Sequence, residues 1–240
     1  MSYLSAAFVI GLLIAIHELG HLAAAKLAGI PVERFSIGFG PKLVGFERGG
    51  TSYWLAAVPF GGYVLPRTDE TGMLTLPFRK ELVFALGGPL ANVVTGYAGL
   101  VLLGLVQADL TFVQSLSFAG TKLSLILQQL AQALAALFSG TAQVSGIVGI
   151  VAIGGSQFGA TLVGQLQFAI AMSINLAVVN LLPLPPLDGG RIVLSALETI
   201  HRPFARFRVP VTVTGWVFVL SLMLYATYRD IERLGGGFFS

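Results

Sequence analysis

The sequence predicts an α-helical integral membrane protein: about four transmembrane helices, a small β-hairpin region at the cytoplasmic face, and one amphipathic helix in the interface. Three observations predict it. Hydrophobic residues make up 55% of the 240 residues and charged residues only 10%, with a mean hydropathy of +0.84, far from a soluble composition. Apolar stretches of the roughly 20 residues needed to cross a bilayer recur along the chain. Between the first two of them, the pattern switches from helical spacing to glycine-punctuated aromatic and β-branched runs.

Residues 4–25, 82–106 and 209–228 each meet the length and composition of a span. Residues 123–187 contain no Asp, Glu, Lys or Arg, so hydropathy alone permits one, two or three crossings there. A parity argument given below selects one, over about 163–182. Residues 32–46 and 51–64 are punctuated by Gly38, Gly40, Pro41, Gly49, Gly50, Gly61 and Gly62 and read as strands and hairpins, some dipping into the membrane. Such backbone survives at depth only where protein or a wet cavity satisfies it. In residues 115–138, Leu123, Leu127, Leu130, Leu134 and Leu137 recur at helical spacing, with Gln128, Gln129 and Gln132 off the stripe. This fits a helix on the membrane surface or packed on other helices. Residues 145–159, broken by Gly146, Gly149, Gly154, Gly155 and Gly159, read as an irregular shallow connection, with a further crossing as the alternative. No repeat or long linker is visible, and residues 1–240 are expected to form one membrane-embedded domain.

Charge narrows the function classes. The formal charge is +3, but the basic residues are spread between apolar segments, so they read as topology signals and no nucleic-acid partner is expected. Lys26, Arg34, Lys42, Arg48, Arg67, Arg79, Lys80, Arg191, Arg202, Arg206 and Arg208 are 11 of the 14 basic residues and share one side of this topology; Lys122, Arg229 and Arg233 take the other. The positive-inside rule then puts both termini outside and the lower end of the first span near the cytoplasm. The absence of cysteine excludes disulfides, thiolate metal sites and thiol catalysis. The first apolar stretch lacks a basic start and a small-residue cleavage site, so it is expected to be a mature span.

That first stretch contains HELGH, residues 17–21. On a helix, His17 and His21 lie one turn apart on one face and can reach one zinc ion, with Glu18 beside them as general base. Ionisable groups inside a span are costly unless paired, coordinated or facing a polar cavity, which marks them as functional. A catalytic zinc site takes three protein ligands. Asp188 in NLLPLPPLDGG is the choice for the third, because Pro183, Pro185 and Pro186 stop the preceding span and Gly189 and Gly190 allow a tight turn. Two alternatives stay open: Asp188 caps the following helix, or Glu198 is the ligand. His201 reads as a surface residue. If Asp188 joins the histidines, the chain between them crosses the bilayer an even number of times, which leaves one crossing for the uncharged region.

HELGH, FSIGFGPKL, VPFGGYV, GGPLAN and NLLPLPPLDGG, in that order, resemble the site-2 protease family of intramembrane zinc metalloproteases, most closely its bacterial regulator-of-sigma-factor members. The resemblance implies zinc on His17, His21 and Asp188, Glu18 as general base, a four-span core in the bacterial inner membrane, and cleavage of single-span membrane proteins or signal-peptide-like remnants. It also suggests that Asn92 and Asn180 contact substrate backbone or support the site, the alternative for each being a hydrogen bond to a neighbouring helix. Gly87, Gly88 and Pro89 read as close-packing residues. One departure stands out: the bacterial relatives usually carry PDZ domains between the second and third core spans, and residues 107–165 show no PDZ-like run of strands. Substrate selection would then rest on residues 115–138, the hairpins, or an adaptor membrane protein, with lipid as the surrounding partner. The competing function class is a non-hydrolytic zinc sensor or carrier, which needs the ligands but not Glu18.

Overall fold

The computed structural model describes residues 3–67, 76–139 and 161–235. In chain order these form α1 (Tyr3–Leu27), β1 (Val32–Arg48), β2 (Thr51–Pro66), α2 (Phe78–Gln107), α3 (Phe112–Phe138), α4 (Leu162–Asn180), α5 (Asp188–Ile200), a 3-10 turn (Arg202–Phe207) and α6 (Arg208–Gly235). Among the described residues, four helical stretches are long and apolar enough to cross a membrane: Leu4–Leu27, Phe78–Gln107, Leu162–Asn180 and Arg202–Glu232. The four expected spans are thus found. In the last, only 6% of the most apolar window is buried within the chain, and Val209, Val213, Trp216, Val217 and Leu224 are all exposed. So much exposed apolar surface is tolerable in lipid and not in water. The glycine-broken segment 145–159 lies outside the described residues.

The fold divides into two compact units. One comprises residues 10–94 and 176–211. In it α1 ends as its sequence dictates: Gly29 takes a left-handed φ of 62°, Ile30 N–H donates to the Ala25 carbonyl at 2.8 Å, and Pro31 bars continuation. Leu22, Ala25, Ile30, Val32, Phe35 and Phe84 form one buried cluster, joining the end of α1 to β1 and the start of α2. Burying a side chain such as Phe84 contributes about 2 kcal/mol.

β1 and β2 pair antiparallel through Val32↔Pro66 to Ile37↔Gly62, and again through Val44↔Leu55 to Arg48↔Thr51 around the Gly49–Gly50 turn. Residues 34–37 also partner with Ser52 to Leu55, so this stretch of β1 is flanked on both sides. Gly62 to Pro66 have partners only on β1 among the described residues, which leaves that stretch as a sheet edge. Both strands run on through their glycines, but the pairing shifts register between Ile37 and Phe39, and Gly38 and Gly61 have φ of 90° and 113°, a region that favours glycine.

The other unit comprises residues 1–9, 95–175 and 212–240. Here α2 meets α4 through glycines: a Cβ on Gly96 would fall 2.7 Å from Ile174 Cγ1, and one on Gly99 2.7 Å from Ile170 Cγ1, the small-residue contact that lets apolar helices approach. The α3 helix packs beside α2, with the Tyr97 hydroxyl donating to the Leu116 carbonyl at 3.0 Å. Its half-buried stripe is Leu123, Ile126, Leu130 and Leu134, while Leu127 is 41% exposed. Ile126 therefore takes the place expected for Leu127.

Candidate metal centre

His17 and His21 sit one turn apart on α1, and both are buried. Their Nε2 atoms lie 3.1 Å apart. Asp188 Oδ2 reaches to 3.1 Å from His17 Nε2 and 3.3 Å from His21 Nε2, within the same compact unit. A tetrahedral cation with ligand bonds of about 2.0–2.1 Å needs donor atoms about 3.3 Å from one another. The triangle of donors fits, and two imidazoles with one carboxylate is a donor set zinc accepts with its fourth position open.

Each donor is held from behind. His21 Nδ1–H donates to the Phe84 carbonyl at 2.7 Å, which leaves Nε2 as the lone-pair nitrogen. Gly88 N also lies 3.3 Å from that Nδ1; one nitrogen cannot both carry a proton and accept one, and the shorter bond prevails. His17 Nδ1 lies 3.1 Å from the Asn92 amide nitrogen, and Asn92 is fully buried. A half-turn of the carboxamide exchanges its nitrogen and oxygen, and the oxygen then accepts from Nδ1–H and frees His17 Nε2 for a cation. Asn92 thus lies against a ligand histidine. Asn180, the last residue of α4, is part-buried and makes no side-chain hydrogen bond among the described residues.

Asp188 does not cap the helix that follows: Leu187 occupies that position, without a side-chain cap bond, and Asp188 is the first helical residue. Burial raises its carboxyl pKa, but hydrogen bonds and charge from His17 and His21 outweigh burial and bring it to about 2, so it is an anion at neutral pH. Gly189 and Gly190 serve closeness more than a turn. They lie within α5, where a Cβ on Gly189 would strike the Leu182 carbonyl oxygen at 2.5 Å and one on Gly190 the Pro185 nitrogen at 2.5 Å. The LPLPPL segment is thereby folded down on the first turn of α5. Glu198 is elsewhere, accepting from Arg208 Nε at 2.8 Å. His201 is exposed, edge-on to Phe204.

Gly88 proves more than a packing residue. A Cβ there would fall 2.6 Å from both Cε1 and Nε2 of His17 and closer still to His21 Nε2, so any side chain would occupy the space where the donors converge. Gly87 does pack: its Cβ would meet Ala24 Cβ at 2.6 Å and the Gly20 carbonyl at 2.5 Å, so α1 and α2 cross almost backbone to backbone. Glu18 is part-buried beside the donors, and a Cβ on Gly62 would fall 2.9 Å from its Cγ. The β2 edge, as seen among the described residues, therefore runs past Glu18 at Gly62.

Three supporting residues escaped the sequence reading. Glu81, Phe84 and Arg191 lie just behind the donors, with Glu81 accepting from Arg191 Nη2 at 2.9 Å and Nε at 3.2 Å. A carboxylate at the mouth of a span and a basic residue three positions after Asp188 were the available signal.

An apolar span-length helix carrying HELGH, met by a carboxylate from a distant helix, defines a membrane-embedded metallopeptidase centre. The sequence profile of peptidase family M50 matches residues 5–224; the chain belongs to that family and is a zinc metalloprotease of the membrane. It is 26% identical to slr1821 of Synechocystis sp., which carries a zinc metalloprotease name, over 98% of this chain and 95% of that one. It is 25% identical to the membrane metalloprotease ARASP, chloroplastic, of Arabidopsis thaliana, over 97% of this chain and 79% of that one. The first of these alignments runs over 349 positions against the 240 residues here, so that relative carries sequence with no counterpart in this chain. The described part of the connection between α2 and α4 is the helix α3.

Proposed function

We propose that this chain is an intramembrane endopeptidase that hydrolyses peptide bonds of single-span membrane proteins or signal-peptide-like remnants, with zinc held by His17, His21 and Asp188. The observation that carries the reading is the triangle of donors with edges of 3.1, 3.1 and 3.3 Å, built on an apolar span. When bound, zinc supplies a Lewis acid that polarises the scissile carbonyl and makes water nucleophilic near neutral pH. Glu18, one residue from His17 and beside the donors, takes the proton from the attacking water and delivers it to the leaving amine. Asn92 fixes the tautomer of His17, and the Phe84 carbonyl fixes that of His21. Asn180, eight residues before Asp188, is assigned to contact with the substrate backbone.

A transmembrane helix resists this chemistry, because its carbonyls are already hydrogen-bonded. The edge of β2 from Gly62 to Pro66, open among the described residues, passes beside Glu18 at Gly62 and offers backbone groups to an extended chain, so an unwound substrate would be held as an added strand. Eleven of the 14 basic residues fall on one side of the expected topology, which supports a site toward the cytoplasm with both termini outside; a bacterial inner membrane is the membrane that this reading assigns. The test is cleavage of a panel of single-span substrates in liposomes. The reading predicts zinc-dependent cutting that Glu18→Gln abolishes while zinc is retained. Unaltered function in Glu18→Gln would mark a zinc carrier or sensor instead.

A further inference from the structure

The donors converge because three helices meet, and two of these are tied by one ion pair. Glu81 lies in the first turn of α2 and is 1% exposed. Its Oε1 accepts from both Nη2 and Nε of Arg191, at 2.9 and 3.2 Å, while its Oε2 has no partner among the described residues. A carboxylate with so little water and one partner depends on that partner. Arg191 is three residues after Asp188, on the same face of α5. Its guanidinium also lies over the Phe84 ring, 4.8 Å from the centroid, and the His21 ring lies 5.2 Å from that same ring. Phe84 is in turn the residue whose carbonyl accepts from His21 Nδ1. Arg191, Phe84 and His21 therefore form a continuous column from the helix of the third donor to the second donor.

We propose that the Glu81–Arg191 pair is a positioning device for the metal centre. By clamping the first turn of α5 to the first turn of α2, it sets Asp188 at the distance from His21 that a shared cation requires. The proposal rests on the assignment of zinc to His17, His21 and Asp188. Among the described residues the pair's side-chain hydrogen bonds are to each other and not to the donors, so the effect passes through α5 and through Phe84. The pair is built for direction as well as strength: a guanidinium donating through two nitrogens to one oxygen fixes the side chain's angle as a lysine ammonium cannot.

The experiment measures zinc affinity of the full chain in detergent micelles, by competition with a chelator, alongside thermal unfolding of the zinc-free protein. Glu81→Gln and Arg191→Met are made singly and together; the double variant removes both charges and so avoids stranding a buried one. The account expects each single variant to bind zinc about tenfold more weakly, the size of effect seen when an outer partner of a metal ligand is lost. It expects the double variant to be no weaker than either single one, because both remove the same contact. Arg191→Lys should recover only part of the loss. Glu198→Gln with Arg208→Met, which breaks the ion pair at the other end of α5, should leave affinity within twofold.

Wild-type zinc affinity in the Glu81 and Arg191 variants, even with a lowered unfolding temperature, would reduce the pair to a structural anchor and overturn the proposal. An equal loss in the Glu198 and Arg208 variant would overturn it too, since any loosening of α5 would then suffice. Asp188→Ala separates the levels: if it leaves zinc affinity unchanged, the ligand assignment fails and this inference with it. If it abolishes binding while Glu81→Gln does not change it, only the inference fails.

Discussion

His17 Nε2 and Asp188 Oδ2 lie 3.1 Å apart although 171 residues separate them in the chain. Two span-length helices, α2 and α4, intervene among the described residues. The carboxylate that meets the histidines is the one on α5's first residue, while Glu198 nearer its end pairs with Arg208.

Asp188→Ala should abolish both zinc binding and cleavage, while Glu198→Ala should keep both and lower the unfolding temperature slightly. A part-exposed ion pair such as Glu198 with Arg208 contributes roughly 0–1 kcal/mol. Metal analysis of the two purified variants decides between the carboxylates: zinc lost from the Glu198 variant and kept by the Asp188 variant would reverse the assignment.

Gly88→Ala should remove the metal without removing the fold, since its methyl group would enter the space between the two imidazoles. Gly87→Ala should do the reverse, forcing α1 and α2 apart at a cost of about 1–3 kcal/mol before the donors are touched. Zinc stoichiometry set beside unfolding temperature separates the two glycines; an identical profile for both would mean that Gly88 only packs.

Much of this was legible in the sequence because it was written in local chemistry. HELGH marked two donors and a base by helical period alone, and the apolar runs marked three spans by length, the fourth needing the parity argument. Asp188 was within reach through the prolines and glycines of NLLPLPPLDGG, and parity, a global constraint that needs no coordinates, then set the number of crossings before it. What could not be read was contact across elements. Gly88 looked like any small residue in a span until His17 and His21 were placed against it, and Asn92 gave no sign of which side chain it would face. Glu81 and Arg191 are 110 residues apart, with nothing local to pair them. The role of Gly189 and Gly190 also changed, from a permissive turn to close approach within α5, because the fold of the prolines over that helix is set by tertiary packing.

Asn92→Ala should weaken zinc binding 10- to 100-fold by releasing the His17 ring. Asn92→Asp should restore it in large part, because a carboxylate accepts from Nδ1–H as the amide oxygen does. Chelator competition reads both variants, and normal affinity in Asn92→Ala would move that residue from ligand support to substrate contact.

Gly62→Val should depress cleavage with zinc in place, since the new side chain would press on Glu18 and on the Ser36 carbonyl, 2.7 Å from the position of its Cβ. Helix-breaking Gly or Pro residues introduced near the cut in a substrate span should speed its cleavage by the wild type. A stable-helix substrate cut as fast as an unwound one would remove the need for strand addition at the β2 edge.

The most direct measurement is cleavage of a single-span substrate in liposomes by wild type and Glu18→Gln, each with its zinc content determined, before and after chelation and zinc restoration. The account predicts one zinc per chain in both proteins. It predicts cutting by the wild type that disappears with the metal and returns with it, and a loss of at least about 100-fold in Glu18→Gln. Cleavage that persists in the zinc-free wild type, or in Glu18→Gln with its zinc bound, would contradict it.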